Sequence, residues 1–284
     1  MNAFKENAMH AIFMVAACVS IFAVAVICIF LFKSGIPAIV EIGPLKFLFG
    51  TVWKPNSDLY GIFPMIVGSI YVTAGAMVFG VPLGILTAVF MARFCPKGIY
   101  KIAKPAVDLL AGIPSIVYGF FGLMAIVPLM QTLFGGSGKS ILTASILLGI
   151  MILPTIIGVA ESSLRAVPEA YFEGSLALGA TKERSVFFSV LPAAKSGVLA
   201  GVVLGMGRAI GETMAIIMVA GNQTAMPAGI LSGVRTMTAN IVIEMGYATD
   251  LHREALFATG VVLFVFIMLI NLSFSCIKRK GESK

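Results

Sequence analysis

Long apolar runs separated by short polar segments dominate this sequence. Six runs are almost free of charge: residues 11–32, 61–92, 109–134, 141–160, 195–220 and 255–277. A helix of about 20 residues spans the hydrocarbon core of a bilayer. The first run is longer than the apolar part of a signal peptide, and no small-residue cleavage site follows it. The pattern therefore predicts an all-α integral membrane protein with six spans.

The polar segments between the runs divide the chain into two parts. Residues 1–60 are expected to form an N-terminal membrane helix and an external loop that is rich in Pro and Gly. Residues 61–284 are expected to form a core of five helices with a cytoplasmic loop at 161–195. Residues 93–104 read as a compact basic loop, and residues 221–254 as a long, mostly uncharged outer connection.

Composition supports lipid as the solvent of this chain. Hydrophobic residues make up 59% of the sequence, charged residues 12%, and the mean hydropathy is +1.02, whereas soluble domains are about a quarter charged. The four cysteines are scattered and indicate neither disulfides nor a metal site. The two histidines form no catalytic arrangement with a nucleophile or a set of metal ligands. We therefore expect no enzyme, no metal and no cofactor.

The net charge of +7 raises the possibility of nucleic-acid binding, but its distribution excludes that class. Lys and Arg lie in short segments between apolar runs, with no basic stripe that carries interleaved aromatic residues. With six spans, one side of the membrane receives both termini and the 93–104 and 161–195 loops. That side holds 13 of the 20 basic residues and the other side 6. The positive-inside rule therefore predicts cytoplasmic termini and a cytoplasmic 161–195 loop.

Residues 135–140, Gly-Gly-Ser-Gly-Lys-Ser, resemble a phosphate-binding P-loop only superficially. The motif requires a glycine five residues before Gly138, where this chain has Leu133. It also requires a preceding strand, whereas both flanks here are apolar spans. We expect a flexible outer turn and no ATPase within this chain.

The 161–192 loop carries the signals of two short helices, at 168–178 and 182–191. Pro168 suits the first turn of a helix, and Gly179 suits its end. Thr181 can cap the second helix, and Glu161 and Arg165 have the spacing of a helical ion pair. From the residues alone, the two helices could dock onto a partner or lie amphipathically on the headgroups.

Arg208 and Glu212 stand four residues apart in the fifth apolar run, so one continuous helix would place them on one face. A charge in the membrane costs a few kcal/mol and calls for a partner or a wet cavity. The pair could brace two helices. Alternatively, Arg208 offers donors to an oxyanion while Glu212 orients it. At about 1.5 Å per residue, Arg208 lies about 20 Å from Lys195, in the outer half of the membrane.

Other polar positions allow more than one interpretation. Asp108 follows Lys104 by four residues, which favours an interfacial pair over a solute ligand. Pro114 either kinks the third span or opens its first turn, and Ser115 could satisfy a freed carbonyl or line a solute path. Arg235 and Glu244 belong to the outer connection, which could dock a binding protein or fold back as a re-entrant segment.

One motif in the cytoplasmic loop resembles a known family. Residues 173–179, Glu-Gly-Ser-Leu-Ala-Leu-Gly, followed by Leu191-Pro192, are similar to the EAA loop of ABC importer permeases. In that family the loop forms a coupling helix that docks on a separate ATP-hydrolysing subunit. The chain departs from the pattern at Gly174, Ser175 and Ser189. The resemblance assigns coupling to Glu173, Gly174, Ser175, Gly179, Ala180 and Pro192.

Further segments narrow the resemblance to phosphate importer permeases. Residues 207–213, Gly-Arg-Ala-Ile-Gly-Glu-Thr, resemble their fifth span, and residues 111–120 resemble their third. Residues 220–248 are closer to the PstC-type subunit than to its PstA-type sister. The resemblance covers about residues 60–277 and implies a type I transmembrane domain of six helices.

If that resemblance holds, the chain moves inorganic phosphate from a PstS-like binding protein across the inner membrane. Its other partners would be a homologous PstA-like permease and two PstB-like ATPase subunits, within membrane lipid and without nucleic acid. The substrate pathway would include Arg208, Glu212, Thr213 and Ser115. Two alternatives stay open: another oxyanion, such as molybdate, tungstate or phosphonate, and a membrane scaffold or sensor.

Overall fold

The computed structural model describes residues 3–282, without the side chains of residues 3–8, 275 and 277–282. The side chains of the predicted basic tail at 278–280 therefore lie outside the described part. Five helices within the described range are long and apolar enough to cross a membrane, and a sixth span results if one bent helix pair counts as one. The predicted all-α membrane fold is confirmed.

Helices account for most of the chain. They are α1 (Ala3–Ile42), α2 (Pro44–Phe49), α3 (Phe63–Val89), α4 (Lys97–Gly112), α5 (Ser115–Phe121), α6 (Val127–Phe134), α7 (Ile141–Arg165), α8 (Glu169–Ala177), α9 (Lys182–Ser185), α10 (Leu191–Ala193), α11 (Lys195–Gly211), α12 (Met214–Val219), α13 (Met237–Met245) and α14 (Asp250–Glu282). A small antiparallel hairpin of β1 (Trp53–Lys54) and β2 (Leu59–Tyr60) follows α2.

Helix α7 is the centre of the core, with α3 and α11 packed along it. Small residues allow the close approach, because a Cβ added to Gly80 or Gly84 of α3 would overlap α7 side chains. A Cβ added to Gly205 of α11 would also overlap α7, and one added to Gly201 would lie only 3.2 Å from Val159. Small residues at such contacts are typical of membrane helices, which gain packing energy when their backbones approach closely.

Helix α1 lies at the periphery and packs mainly against α14. Gly35 approaches the backbone of Ala258, and Phe30 and Phe257 meet edge to face. No residue in the most apolar stretch of α1 is buried. The described chain therefore leaves most of α1 open to lipid or to a neighbouring subunit.

The structure corrects four boundaries of the sequence-based prediction. The basic 93–104 segment is largely helical, since α4 begins at Lys97. Helix α1 and the short α2 extend into the predicted 33–60 loop. The fifth run does not form one helix, because α11 ends at Gly211 and α12 begins at Met214. The outer connection contains α13, with most of its first turn buried.

Candidate substrate pathway and coupling surface

Arg208 projects from the last turn of α11 toward the middle of α7. Its Nη1 donates a hydrogen bond to Oγ1 of Thr155 at 3.4 Å. Thr155 is 14 residues from Ile141 and 10 from Arg165, which is about 21 Å and about 15 Å along the helix. The guanidinium therefore lies close to the middle of the span, whereas counting residues from Lys195 placed Arg208 in the outer half of the membrane.

Arg208 forms no ion pair with any acid in the described part of the chain. The α11 backbone beside it is uncovered at Gly207 and Gly211, because a Cβ added to either would meet no atom within 4 Å. An unpaired charge at membrane depth is costly. Arg208 is thus a half-buried donor fork with no described counter-ion.

Glu212 does not pair with Arg208, which contradicts the predicted shared helix face. It lies just past the end of α11, where the backbone is extended. Its Oε1 accepts hydrogen bonds from the backbone N–H groups of Thr213 at 3.1 Å and Ala215 at 3.2 Å. The carboxylate therefore caps the start of α12, and two residues without helical geometry separate the helices.

A second break lies close to the first. Helix α4 ends at Gly112, and α5 begins at Ser115 after the extended residues Ile113 and Pro114. Gly119 of α5 packs tightly against α12, since an added Cβ would lie 2.9 Å from Cα of Ala215. The structure thus brings the segment that begins at Ser115 beside the one that begins at Thr213. The Ser115 hydroxyl has no hydrogen-bond partner among the described residues.

The 221–254 segment covers the break after α11. Oγ1 of Thr238, in the first turn of α13, donates to the backbone oxygen of Glu212 at 3.1 Å. The N–H of Met237 donates to Oγ of Ser69 in α3 at 3.0 Å. Helix α13 is therefore attached to both α3 and the broken fifth span.

A buried polar cluster fixes the far end of α13. We call it the outer hub, after the side of the membrane that the sequence predicts for this segment. Its centre is Glu244, whose Oε1 accepts from Arg235. Oε2 of Glu244 accepts from Nε1 of Trp53 at 2.8 Å and lies 2.8 Å from Nε2 of His252. Arg235 also donates to Oδ1 of Asn240 at 3.0 Å. Because Arg235 and Glu244 point inward, the structure favours the folded-back segment over an exposed docking surface.

Replacing Glu244 with glutamine is expected to destabilise the protein by about 3–5 kcal/mol, because Arg235 would remain buried without its counter-ion. Trp53 is the only tryptophan and donates directly to Glu244, so its fluorescence reports thermal unfolding in detergent. The matched control is Asp108→Asn, which removes an ion pair with Lys104 in which the two side chains are 60% and 31% exposed and which is worth about 0–1 kcal/mol. Equal melting temperatures for the two variants would contradict a stabilising hub.

The 161–192 loop folds as its capping residues predict. Gly179 adopts a left-handed conformation with φ 84°, and its N–H donates to the oxygen of Leu176. The N–H of Ala180 donates to Ser175, which completes a Schellman motif at the end of α8. Oγ1 of Thr181 accepts from the N–H of Arg184 and caps α9. Two short helices therefore form, as predicted.

Arg93, at the end of the second span, attaches α8 to the core. It donates to Oε2 of Glu169 at 2.7 Å and to the backbone oxygen of Leu164 at 3.0 Å. Phe172 of α8 packs on the apolar cluster at the C-terminal end of α7 and the N-terminal end of α11. Helix α8 is therefore attached to three spans.

Glu161 links the same region to α4. Its Oε1 accepts from the Tyr100 hydroxyl at 2.7 Å and from Nε of Arg165 at 2.9 Å. Nζ of Lys104 lies 3.3 Å from the other oxygen, and Arg165 also donates to Met91. The hydrogen bond to Glu161 raises the pKa of the Tyr100 phenol above its usual value. The predicted pairs of Arg165 with Glu161 and of Lys104 with Asp108 are both present.

The six predicted coupling residues lie on an open surface. Glu173, Gly174, Gly179 and Pro192 are exposed, and Ser175 and Ala180 are half-buried. Pro192 precedes an elbow, where the 182–193 segment meets α11 at 73°.

Three large apolar side chains on this surface are not among the predicted coupling residues. Leu178 is 92% exposed, Phe188 75% and Tyr171 55%. Such exposed side chains mark an interaction site when they cluster. One signal in the sequence could have identified them. They are large apolar residues within a polar loop whose helix ends were already predicted from its capping residues. We call this group, with α8 and α9, the coupling surface.

Comparisons with known proteins agree with this architecture. Residues 80–280 match the family of binding-protein-dependent transport system inner membrane components. The chain is 39% identical over 272 residues to the probable ABC transporter permease protein YqgH of Bacillus subtilis, covering 92% of this chain and 86% of that protein. It is 33% identical over 289 residues to the phosphate transport system permease protein PstC of Mesorhizobium japonicum, covering 94% and 88%.

A solved structure shows the same fold. A bacterial ABC transporter involved in the import of the acidic polysaccharide alginate superposes with a TM-score of 0.63 at 15% identity, over 98% of this chain and 99% of that one. At this identity the likeness concerns the fold alone. Together with the family match over residues 80–280, it confirms the predicted fold, the transmembrane domain of an ABC importer.

Proposed function

The chain belongs to the family of binding-protein-dependent transport system inner membrane components, and from this premise we propose that it is the permease subunit of an ATP-driven phosphate importer. Relatives named as phosphate permeases are 31–34% identical to it over most of its length. The substrate pathway in this proposal runs past Arg208, with Thr213 and Ser115 beside the paired helix breaks. Glu212 contributes by holding the break open.

The observation that carries the phosphate assignment is the unpaired Arg208 at midspan. A planar guanidinium offers donors whose geometry matches tetrahedral oxyanions. In the described chain only Thr155 occupies one of those donors, at the long distance of 3.4 Å. A bound oxyanion would supply the missing counter-ion, and its release toward the cytoplasm would leave Arg208 ready for the next one.

The coupling surface supports the ATP-driven part of the proposal. An ATPase subunit docks on α8, around Glu173 and the small residues Gly174 and Ser175. Movement of α8 passes through Arg93 and Glu161 to the spans, and through the elbow at Pro192 to α11. The complex comprises this chain, a homologous permease, two ATPase subunits that hydrolyse ATP, and a phosphate-binding protein on the outer face.

This arrangement sets the orientation of the chain. The coupling surface faces the cytoplasm, where ATP is available, so both termini are cytoplasmic and the outer hub faces outward. Alternating access then requires α13 to move away from Glu212 when the binding protein docks, since Thr238 holds the two together.

Uptake of labelled phosphate tests the assignment. Cells that lack other phosphate importers should take up phosphate only when this chain is expressed with its ATPase, sister permease and binding protein. Excess molybdate, tungstate or phosphonate should leave uptake unchanged, whereas unlabelled phosphate should abolish it. Competition by one of the other oxyanions would reassign the solute, and uptake without the ATPase would refute the importer class.

A further inference from the structure

A cavity between α1 and α14 combines charges of both signs with apolar walls. Its volume is about 480 Å³, and it lies where α1 approaches its C-terminal end and α14 begins. Lys33 and Arg253 contribute positive charge, and Asp250 and Glu254 contribute negative charge. Phe30 and Phe257 form part of its apolar wall.

The four charged groups remain available to a ligand. All four residues are exposed, and none joins an ion pair within the described part of the chain. If α1 and α14 met here without a gap, Lys33 of α1 would form an ion pair with Asp250 or Glu254 of α14. Here they surround a cavity large enough for a phospholipid headgroup, so the space between them is suited to a molecule that carries both signs.

The location of the cavity points to lipid. Helix α1 is apolar along most of its length and is not covered by the described chain. The cavity lies at the end of α14 opposite the coupling surface, where the first turns of a span meet the headgroup layer. Lys and Arg at such positions extend their charged ends toward the interface.

We propose that this cavity binds a zwitterionic phospholipid with a primary ammonium, of the phosphatidylethanolamine type. Lys33 and Arg253 contact the headgroup phosphate, and Asp250 and Glu254 accept hydrogen bonds from the ammonium. An anionic lipid such as phosphatidylglycerol carries no ammonium group, so the two carboxylates would have no cation of the lipid to bind. A quaternary ammonium cannot donate hydrogen bonds to carboxylates and prefers an aromatic cage, whereas Phe30 and Phe257 meet edge to face at 5.5 Å.

The proposal does not depend on which solute the chain transports. A free phosphate ion shares the phosphate chemistry, but it lacks both the ammonium and the acyl chains that would lie against α1. The lipid binds from the membrane side and would hold the peripheral α1 against α14.

Native mass spectrometry of the full-length protein, purified with its partner subunits in mild detergent, tests the proposal. The probes are phosphatidylethanolamine and phosphatidylglycerol of equal acyl composition. Wild type should retain at least about ten times more of the first, because loss of one favourable charge contact changes binding by about that factor. The double variant Lys33→Ala/Arg253→Ala should lose this retention, whereas Lys46→Ala/Lys54→Ala, at outer cations away from the cavity, should keep it.

A second double variant separates lipid specificity from misfolding. Asp250→Asn/Glu254→Gln leaves two cations and no acid at the cavity, so the preference should shift toward phosphatidylglycerol. Equal retention of both lipids by wild type, or no shift in this variant, would overturn the proposal. Loss of the sister permease from the Lys33/Arg253 variant with unchanged lipid content would identify the cavity as a subunit interface and overturn it too.

Discussion

Arg208→Gln is expected to reduce phosphate uptake by about 30- to 1000-fold, while the ATPase subunits still co-purify. Glutamine keeps hydrogen-bonding capacity but removes the charge that meets the anion at midspan. Removing one partner of a charge contact that is shielded from water costs about 2–4 kcal/mol. Initial rates of labelled phosphate uptake, corrected for the amount of the protein in the membrane, measure the effect.

Three further variants test why Arg208 matters. Arg208→Lys keeps the charge but loses the planar fork, so we expect uptake between those of wild type and Arg208→Gln. Thr155→Val removes the hydrogen bond that positions the guanidinium and should reduce uptake by less than about tenfold. Lys101→Gln, at an exposed cation of α4, should leave uptake unchanged. Wild-type uptake by Arg208→Gln would refute the pathway and leave the family assignment intact.

Local rules predicted the helices of the 161–192 loop well. Gly179 and Thr181 act within a few residues of their own positions, and hydrogen bonds at helix ends depend on local backbone geometry. The structure therefore contains the two predicted helices with the predicted caps. The pairing of Arg165 with Glu161 follows from the same short-range spacing.

The break after Gly211 could not be predicted from apolar periodicity. Residues 195–220 are almost uniformly small or apolar, and such a run has no pattern that distinguishes one helix from two. The one charged residue at the break, Glu212, looked like half of an ion pair. Its actual role, capping α12, becomes visible only when the backbone turns at Thr213.

The outer hub was hidden for a different reason. Trp53 and Glu244 are 191 residues apart, so no spacing rule connects them. Helix α4 was missed although a signal was present: Tyr100, Lys104 and Asp108 recur at intervals of four, as on one helix face. The density of basic residues in 93–104 favoured a loop, whereas contacts with Glu161 stabilise the helix.

Packed helices connect the coupling surface at one end of the molecule with α13 at the other. Helix α8 is attached through Arg93 to the inner end of the second span, and α13 is attached through Thr238 to the break after α11. Helices α7 and α11 join these two regions and hold Thr155 and Arg208 between them. We therefore expect a movement at either surface to change the arrangement at midspan, because packed helices have few alternative arrangements.

Leu178→Ser is expected to prevent stable association with the ATPase subunit. Leu178 follows α8 at the centre of the coupling surface, and 92% of it is exposed in the free chain. A large apolar side chain that becomes buried at an interface contributes about 2 kcal/mol or more when it is a hot spot. The affinity should fall by at least about 30-fold, and the ATPase should be lost during purification at low protein concentration.

The fold should survive this change, because Leu178 makes little contact with the rest of the chain. Trp53 fluorescence should therefore show the same melting temperature as wild type. Leu231→Ser is the matched control, since Leu231 is 48% exposed in the outer segment and its variant should retain the ATPase. If Leu178→Ser retains the ATPase at wild-type yield but loses uptake, docking depends on other residues of α8 and Leu178 acts in transmitting the movement. If it retains both, the coupling surface lies elsewhere, whereas the role of Arg208 would be unaffected.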